Sequence, residues 1–205
     1  DRAVERVLRV KHVLGLFDNP YIDEAKVPEK LDNDKYKELT REAARRSIVL
    51  LKNSGILPID WSVRTIAVVG PNADDPWAML GDYHYDSHVG ALRGWYGKEL
   101  SVDIVTVLEG IRRIARARGI NVLYAQGCDA DGTDISGFTQ ALNVAKKADV
   151  VVAVVGDRSG LFNTEMFTSG EGVDRASLGL PGRQEELVKE LADLGIPVVL
   201  VLING

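Results

Sequence analysis

Apolar residues along this chain recur with helical spacing in some stretches and in short unbroken runs in others, and the two kinds of stretch take turns. Val4, Val7, Leu8, Leu14 and Phe17 share one side of a helical wheel while Arg2, Arg6 and Arg9 fall largely elsewhere. That spacing predicts a helix over residues 1–17, which Asp18-Asn19-Pro20 stops. Residues 20–34, with Pro20, Pro28 and many charges, read as a linker. A second helix is predicted over 35–46, followed by the apolar run Ile48-Val49-Leu50-Leu51 and, after the turn at Asn53-Ser54-Gly55, by Leu57-Pro58-Ile59.

From there strands and helices alternate. Ile66-Ala67-Val68-Val69 reads as a short buried strand ending in Gly70-Pro71-Asn72. Thr106 opens a helix reaching about Arg118, its hydroxyl placed to accept from the Glu109 amide as in a capping box, with Leu108, Ile111 and Ala115 on one side. Residues 121–124 read as a strand, 138–147 as a helix and 184–194 as another. Residues 150–155 and 197–203 are apolar without alternation, the pattern of strands covered on both faces. The expected fold is α/β, a mostly parallel sheet of about five or six strands with helices on both faces. Residues 150–155 and 198–202 are its expected buried central strands. Ligands of such sheets bind beyond the carboxyl ends of the strands. Three polar loops follow strand ends here: residues 70–97, 126–137 and 156–182.

Composition narrows the partners. The 205 residues are 45% hydrophobic with net charge −5, and the basic residues are scattered, which argues against nucleic acid. No apolar run is long enough to span a bilayer, so no membrane partner is expected. Cys128 is the single cysteine, leaving neither an internal disulfide nor a multi-cysteine metal site; it reads as a small buried hydrophobe. A start at Asp1 and an end at Asn204-Gly205 directly after an apolar run suggest a piece of a longer protein. The absence of a signal peptide then says nothing about where the parent lives; its localisation is unknown from this stretch, and a cytoplasmic one is the expectation only by default.

The chemistry concentrates in two segments. Ser169-Gly170-Glu171-Gly172-Val173-Asp174-Arg175, closed by Leu180-Pro181-Gly182-Arg183-Gln184, frames a carboxylic acid between two glycines. Polar and glycine-rich, it reads as a loop at the sheet's carboxyl edge, so Glu171 is either a catalytic acid or part of a solvated turn. Glu165 is the nearest other carboxylic acid upstream on the same loop. Asp174 and Arg175 have a loop-shaping reading as a local salt bridge, with approach of Arg175 to a substrate as the alternative; Asp157 and Arg158 read as loop scaffolding. The second segment, Gly81-Asp82-Tyr83-His84-Tyr85-Asp86-Ser87-His88, is the most polar and aromatic in the chain and offers ring faces together with hydrogen-bonders to a ligand. A zinc site from His84 and His88 with Asp82 or Asp86 is its alternative, weakened because an i, i+4 pair in a loop fixes no geometry.

Taken together, the stretches RVKHVLGLFDNP (9–20), REAARRSIVLLKN (41–53), IAVVGPNAD (66–74), LGDY (80–83), TVLEGIR (106–112), YAQGC (124–128), ADVVVAVVGD (148–157), the Glu171 segment and PVVLVLING (197–205) resemble, in order, glycoside hydrolase family 3. The resemblance implies that residues 1–17 are the last helix of a (β/α)₈ barrel domain, 18–34 the interdomain linker and 35–205 an α/β sandwich domain truncated at its C-terminal end. It implies that Glu171 is the general acid/base and that the nucleophile is an Asp in a Ser-Asp-Trp-type segment of the barrel. Trp61, Trp77 and Trp95 all have other neighbours, so that segment is absent here. It implies further that Asp82, Tyr83 and His84 contact substrate, that His12 packs between domains, and that no metal or other cofactor is needed. The implied activity is exo-acting, retaining hydrolysis of terminal β-D-xylosyl or β-D-glucosyl residues from an oligosaccharide or aryl glycoside, with the chain inactive by itself.

Two other functions deserve weighing. A non-catalytic carbohydrate-binding or scaffold domain would share the fold. A nucleotide-binding module would share the strand-then-glycine segments Val68-Val69-Gly70-Pro71-Asn72 and Val154-Val155-Gly156-Asp157. Neither of these is a Gly-x-Gly-x-x-Gly or a phosphate-loop motif, and Pro71 removes a backbone donor.

Overall fold

The structure, a computed structural model, describes residues 1–30, 33–60, 62–93, 100–162 and 167–204, apart from the side chains of 28 and 90–93. Glu165, Trp61 and Trp95 lie outside the described residues. The chain forms two compact units, Asp1–Lys52 and Asn53–Gly205.

The first unit is helical. α1 (Arg2–Val13) ends earlier than its apolar spacing suggests, because Leu14 closes the last turn and Gly15 turns the chain at a φ of 69°. The 18–34 stretch is not structureless: Asp23 accepts from the Ala25 amide to start a 3₁₀ turn (Glu24–Lys26), and the single turn α2 (Val27–Lys30) follows. Asn33 accepts from the Tyr36 amide and caps α3 (Asp34–Ser47), which groups with this unit. Neither α1 nor α3 buries a residue, and Val4, Val7 and Leu8 are exposed.

The second unit is built on a parallel sheet of β1 (Thr65–Val69), β2 (Asn121–Ala125), β3 (Val150–Gly156) and β6 (Val198–Ile203), in the order β2-β1-β3-β6. A separate two-stranded parallel ladder, β4 (Ser159–Leu161) with β5 (Ser169–Glu171), brings the strands among the described residues to six, divided four and two. Alternation within β1 and β3 sends Ala67, Val69, Val151 and Ala153 to one face, where they meet Phe138 and Ala141 of α6 (Phe138–Ala145) and Leu187 and Leu191 of α7 (Gln184–Asp193). Ile66, Val68, Val152 and Val154 face the other way onto Leu108 and Ala115 of α5 (Val107–Arg116), with Ile56, Ile59 and Val63 against them. Every residue of β3 is buried. Full burial is worth about 1.5–3 kcal/mol for a side chain of valine or leucine size, so the sheet is anchored at this strand. Thr106 caps α5 by accepting from the Glu109 amide at 3.2 Å.

Two expectations are corrected. β6 is not a buried central strand: it pairs only with β3 at the edge of the described sheet, and Leu200 and Leu202 are exposed. Residues 85–93, read as loop, form α4 (Tyr85–Arg93); its mixed apolar and polar sequence has little helical periodicity to show.

Candidate functional site

The strand order reverses between β1 and β3, since β2 lies on one side of β1 and β3 on the other. At such a switch point, connections leave a parallel sheet in opposite directions and open a crevice beyond the strand ends. The segment after β1 carries Asp82, Tyr83 and His84; the segment after β3 carries Glu171. The 126–137 loop, by contrast, lines a polar hollow of ≈ 230 Å³ with Gln126, Asp129 and Asp134.

Glu171 does not stand in an irregular loop. It is the last residue of β5, and the ladder registers Ser159 with Ser169, Gly160 with Gly170 and Leu161 with Glu171. The Phe162 amide donates to the Glu171 carbonyl at 2.6 Å, Phe162 itself holding an unusual positive φ of 63°. The Glu171 side chain is exposed.

Two consecutive residues of the first segment grip Glu171. Asp82 Oδ2 accepts from its amide at 3.2 Å, while Asp82 Oδ1 accepts from the Ser159 hydroxyl at 3.2 Å, so one carboxylate spans both ladder strands. Tyr83 Oη donates to Glu171 Oε2. Its phenol is held above the ordinary tyrosine value, first by that hydrogen bond and then by the negative charge of Glu171, with smaller contributions from burial and Asp82. The Tyr83 ring lies 6.2 Å from that of His88, tilted by 31°.

His84 turns elsewhere. Its Nδ1 accepts from the Asp86 amide at 3.3 Å and lies 3.5 Å from Asp86 Oδ2, which with Oδ1 also holds the Ser101 hydroxyl and amide. Among the described residues, no group of three or more His, Cys, Asp or Glu could hold a metal ion.

The ladder hangs from a polar frame. Arg175 does not pair with its neighbour Asp174: its Nη1 reaches Asp157 Oδ1 at 2.5 Å, and its other donors hold the carbonyls of Ser177 and Gly179. Asp174 is exposed. Asp157 also accepts from the Thr168 hydroxyl at 2.8 Å, and that hydroxyl accepts from the Arg158 amide at 2.9 Å. Arg158 forms an ion pair with Asp75. Asp157 and Arg158 thus scaffold the loop, as their positions after β3 suggest.

Sequence reasoning passed over Asn72 and Gln184, both fully buried. Asn72 donates to the Asp157 carbonyl at 3.1 Å. Gln184 accepts from the Gly156 amide at 2.8 Å and donates to the carbonyls of Gly156 at 2.9 Å and Ala130 at 2.6 Å. Its signal was present: Gln184, Leu187 and Leu191 recur at helical spacing, so a polar residue stands on the apolar stripe of α7. Cys128 lies in the core, where burial and the nearby Asp129 push its thiol up to about 11.

Residues 48–205 match the family described as Glycosyl hydrolase family 3 C-terminal domain. The whole chain is 38% identical to a β-xylosidase of Formosa agariphila and 34% identical to a periplasmic β-glucosidase of Salmonella typhimurium. It covers 26% and 28% of those proteins, about a quarter of their length. Among solved structures, a β-glucosidase involved in saponin metabolism from intestinal bacteria superposes with a TM-score of 0.83 at 31% identity, covering all of this chain and 29% of its own. A β-glucosidase from Listeria innocua, solved with isofagomine, gives 0.74 at 28% identity over 98% of this chain and 25% of its own.

Proposed function

Since the chain belongs to glycosyl hydrolase family 3, we propose that it is the acid/base-bearing part of an exo-acting, retaining β-glycosidase, with Glu171 as the general acid/base. The substrates are terminal, non-reducing β-D-xylosyl or β-D-glucosyl residues of oligosaccharides or aryl glycosides. The observation that supports this most is the placement of Glu171: an exposed carboxyl beyond the sheet's switch point, its backbone and side chain both held from the facing segment.

A retaining glycosidase uses two carboxyl groups roughly 5–5.5 Å apart. A nucleophile attacks the anomeric carbon while the acid protonates the departing oxygen; the same acid, now ionised, then deprotonates the attacking water. Glu171 takes the second role, and the nucleophile comes from a barrel domain outside these residues. The active site is then an interface, and residues 1–205 alone turn over neither aryl β-glucosides nor β-xylosides. Arg175 and Asp157 keep the ladder in shape.

The test is Glu171→Ala in the full-length protein. Loss of general acid catalysis costs about 10²–10⁴-fold on oligosaccharides, whose leaving alkoxide needs the proton. A dinitrophenyl glycoside leaves unaided, so its glycosylation step is nearly spared and deglycosylation becomes limiting. Azide, which needs no deprotonation, then restores turnover and yields the β-glycosyl azide. Equal losses on good and poor leaving groups with no azide rescue would remove Glu171 from the role.

A further inference from the structure

We infer that Tyr83 is the positioning residue of Glu171: its hydroxyl occupies Oε2, so that Oε1 is the oxygen that gives up and takes back the proton. The inference rests on the acid/base role proposed above and adds to it the assignment of the two carboxyl oxygens.

Three observations converge. The first is the hydrogen bond itself, donated by Tyr83 Oη to Oε2 across 88 positions of sequence. The second is that Asp82, the preceding residue, accepts from the Glu171 amide. One short stretch of chain therefore fixes both the backbone and the carboxyl of Glu171, which is otherwise an exposed side chain with three rotatable bonds. The third is that Tyr83 has support of its own, its ring lying against that of His88 in α4.

A phenol has one hydrogen bond to donate, and here Glu171 Oε2 accepts it. With Oε2 so occupied, a proton on Glu171 resides on Oε1. In glycosylation the Oε1–H bond breaks and leaves its electron pair on the carboxylate. The proton passes to the glycosidic oxygen as that oxygen leaves the anomeric carbon with the bonding pair; the nucleophile carboxylate of the barrel domain bonds the carbon in its place, and the alcohol departs. In the second step water gives a proton to Oε1 as its oxygen bonds the anomeric carbon, whose bond to the nucleophile carboxylate breaks and leaves that carboxylate free. Tyr83 keeps its own proton throughout, in accord with a phenol held above its ordinary value. The titratable groups facing the Tyr83 side chain among the described residues are Glu171, Asp82 and His88.

The experiment is Tyr83→Phe in the full-length protein, with Glu171→Gln as its partner in a spectroscopic arm. Tyr83 is 69% exposed, so removing one oxygen leaves the fold unthreatened. For an oligosaccharide, kcat should fall about ten-fold or more with KM changed less than about two-fold, since the acid is misplaced and the sugar is not. In the spectroscopic arm, the tyrosinate absorbance that Tyr83→Phe removes should appear at lower pH in Glu171→Gln than in the unaltered chain. A raised KM with kcat unchanged would make Tyr83 a sugar contact and overturn the inference. An unshifted tyrosinate signal would also overturn it. Failure of azide rescue in Glu171→Ala strikes the underlying acid/base role instead, so the two failures are told apart.

Discussion

Gln184 carries no charge, yet it closes three backbone gaps at once where β3 ends, holding the amide and carbonyl of Gly156 and the carbonyl of Ala130. Each buried polar group left without a partner costs about 1–3 kcal/mol. Gln184→Leu keeps the volume and abandons all three, so it should lower stability by about 3 kcal/mol, read as a fall in the urea midpoint with the slope unchanged. A loss under about 1 kcal/mol would mean that water takes over the bonds. Gln184 was legible as a polar interruption of an apolar stripe. The partner of Arg175 was not: Asp174 is adjacent, Asp157 is 18 positions away, and only the folded path of the loop decides between them. Tyr83 and Glu171 were each visible as candidates from their composition, but their bond is a fact of tertiary structure.

The β4–β5 ladder is the element that carries Glu171, and it survives because two backbones pass where side chains would not fit. A Cβ on Gly170, whose φ is 119°, would stand 2.0 Å from the Gly160 carbonyl oxygen; one on Gly160 would stand 2.2 Å from the Phe167 ring. Gly170→Ala should therefore open the ladder and release the Glu171 backbone. Activity of the full-length protein on oligosaccharides should fall nearly as far as in Glu171→Ala, with global stability little altered because β3 and its flanking helices are untouched. Gly179→Ala, whose added atom meets only the Ser177 hydroxyl at 3.5 Å, is the control and should be close to neutral. Kinetics and urea unfolding of the pair together check this. The sequence hid the ladder because glycine normally marks a loop, and a three-residue strand containing one shows no alternation. Long apolar runs such as 150–155 were legible for the opposite reason, since burial on both faces leaves few other structures open to them.

At the scale of the whole molecule, several exposed carboxylates are tied to amides, hydroxyls or cations and so stabilise the fold in a pH-dependent way. Asp149 holds the amides of Arg64 and Thr65 at 2.9 and 2.8 Å, fastening the start of β1 to the turn before β3, and these bonds keep its carboxyl below the usual range. Asp60 and Asp134 are lowered by bonds from Ser62 and Ser136, and Glu185 by Lys189. Such a contribution is complete above the unfolded carboxylate value, about 4, and disappears as pH falls through the lower native values. Lys189, raised by Glu185, contributes fully below the unfolded lysine value, about 10.4, and loses its contribution as pH rises through its native one. Urea midpoints should thus fall on the acid side below about pH 4, and Asp149→Asn should flatten that fall without moving the alkaline side. An acid limb as steep in Asp149→Asn as in the unaltered chain would mean that other carboxylates carry it. The α/β class and the three strand-end loops were legible in the sequence; the strand order, which selects two of those loops to face each other, was not, because pairing partners leave no mark on local spacing. The two-residue grip on Glu171 has a consequence for protein engineering. The segment that carries Glu171 is not a transplantable cassette: moved into another scaffold without residues 81–88, it would arrive with its carboxyl unaimed. The smallest portable module is the pair of neighbouring strands β1 and β3 together with both segments that leave them.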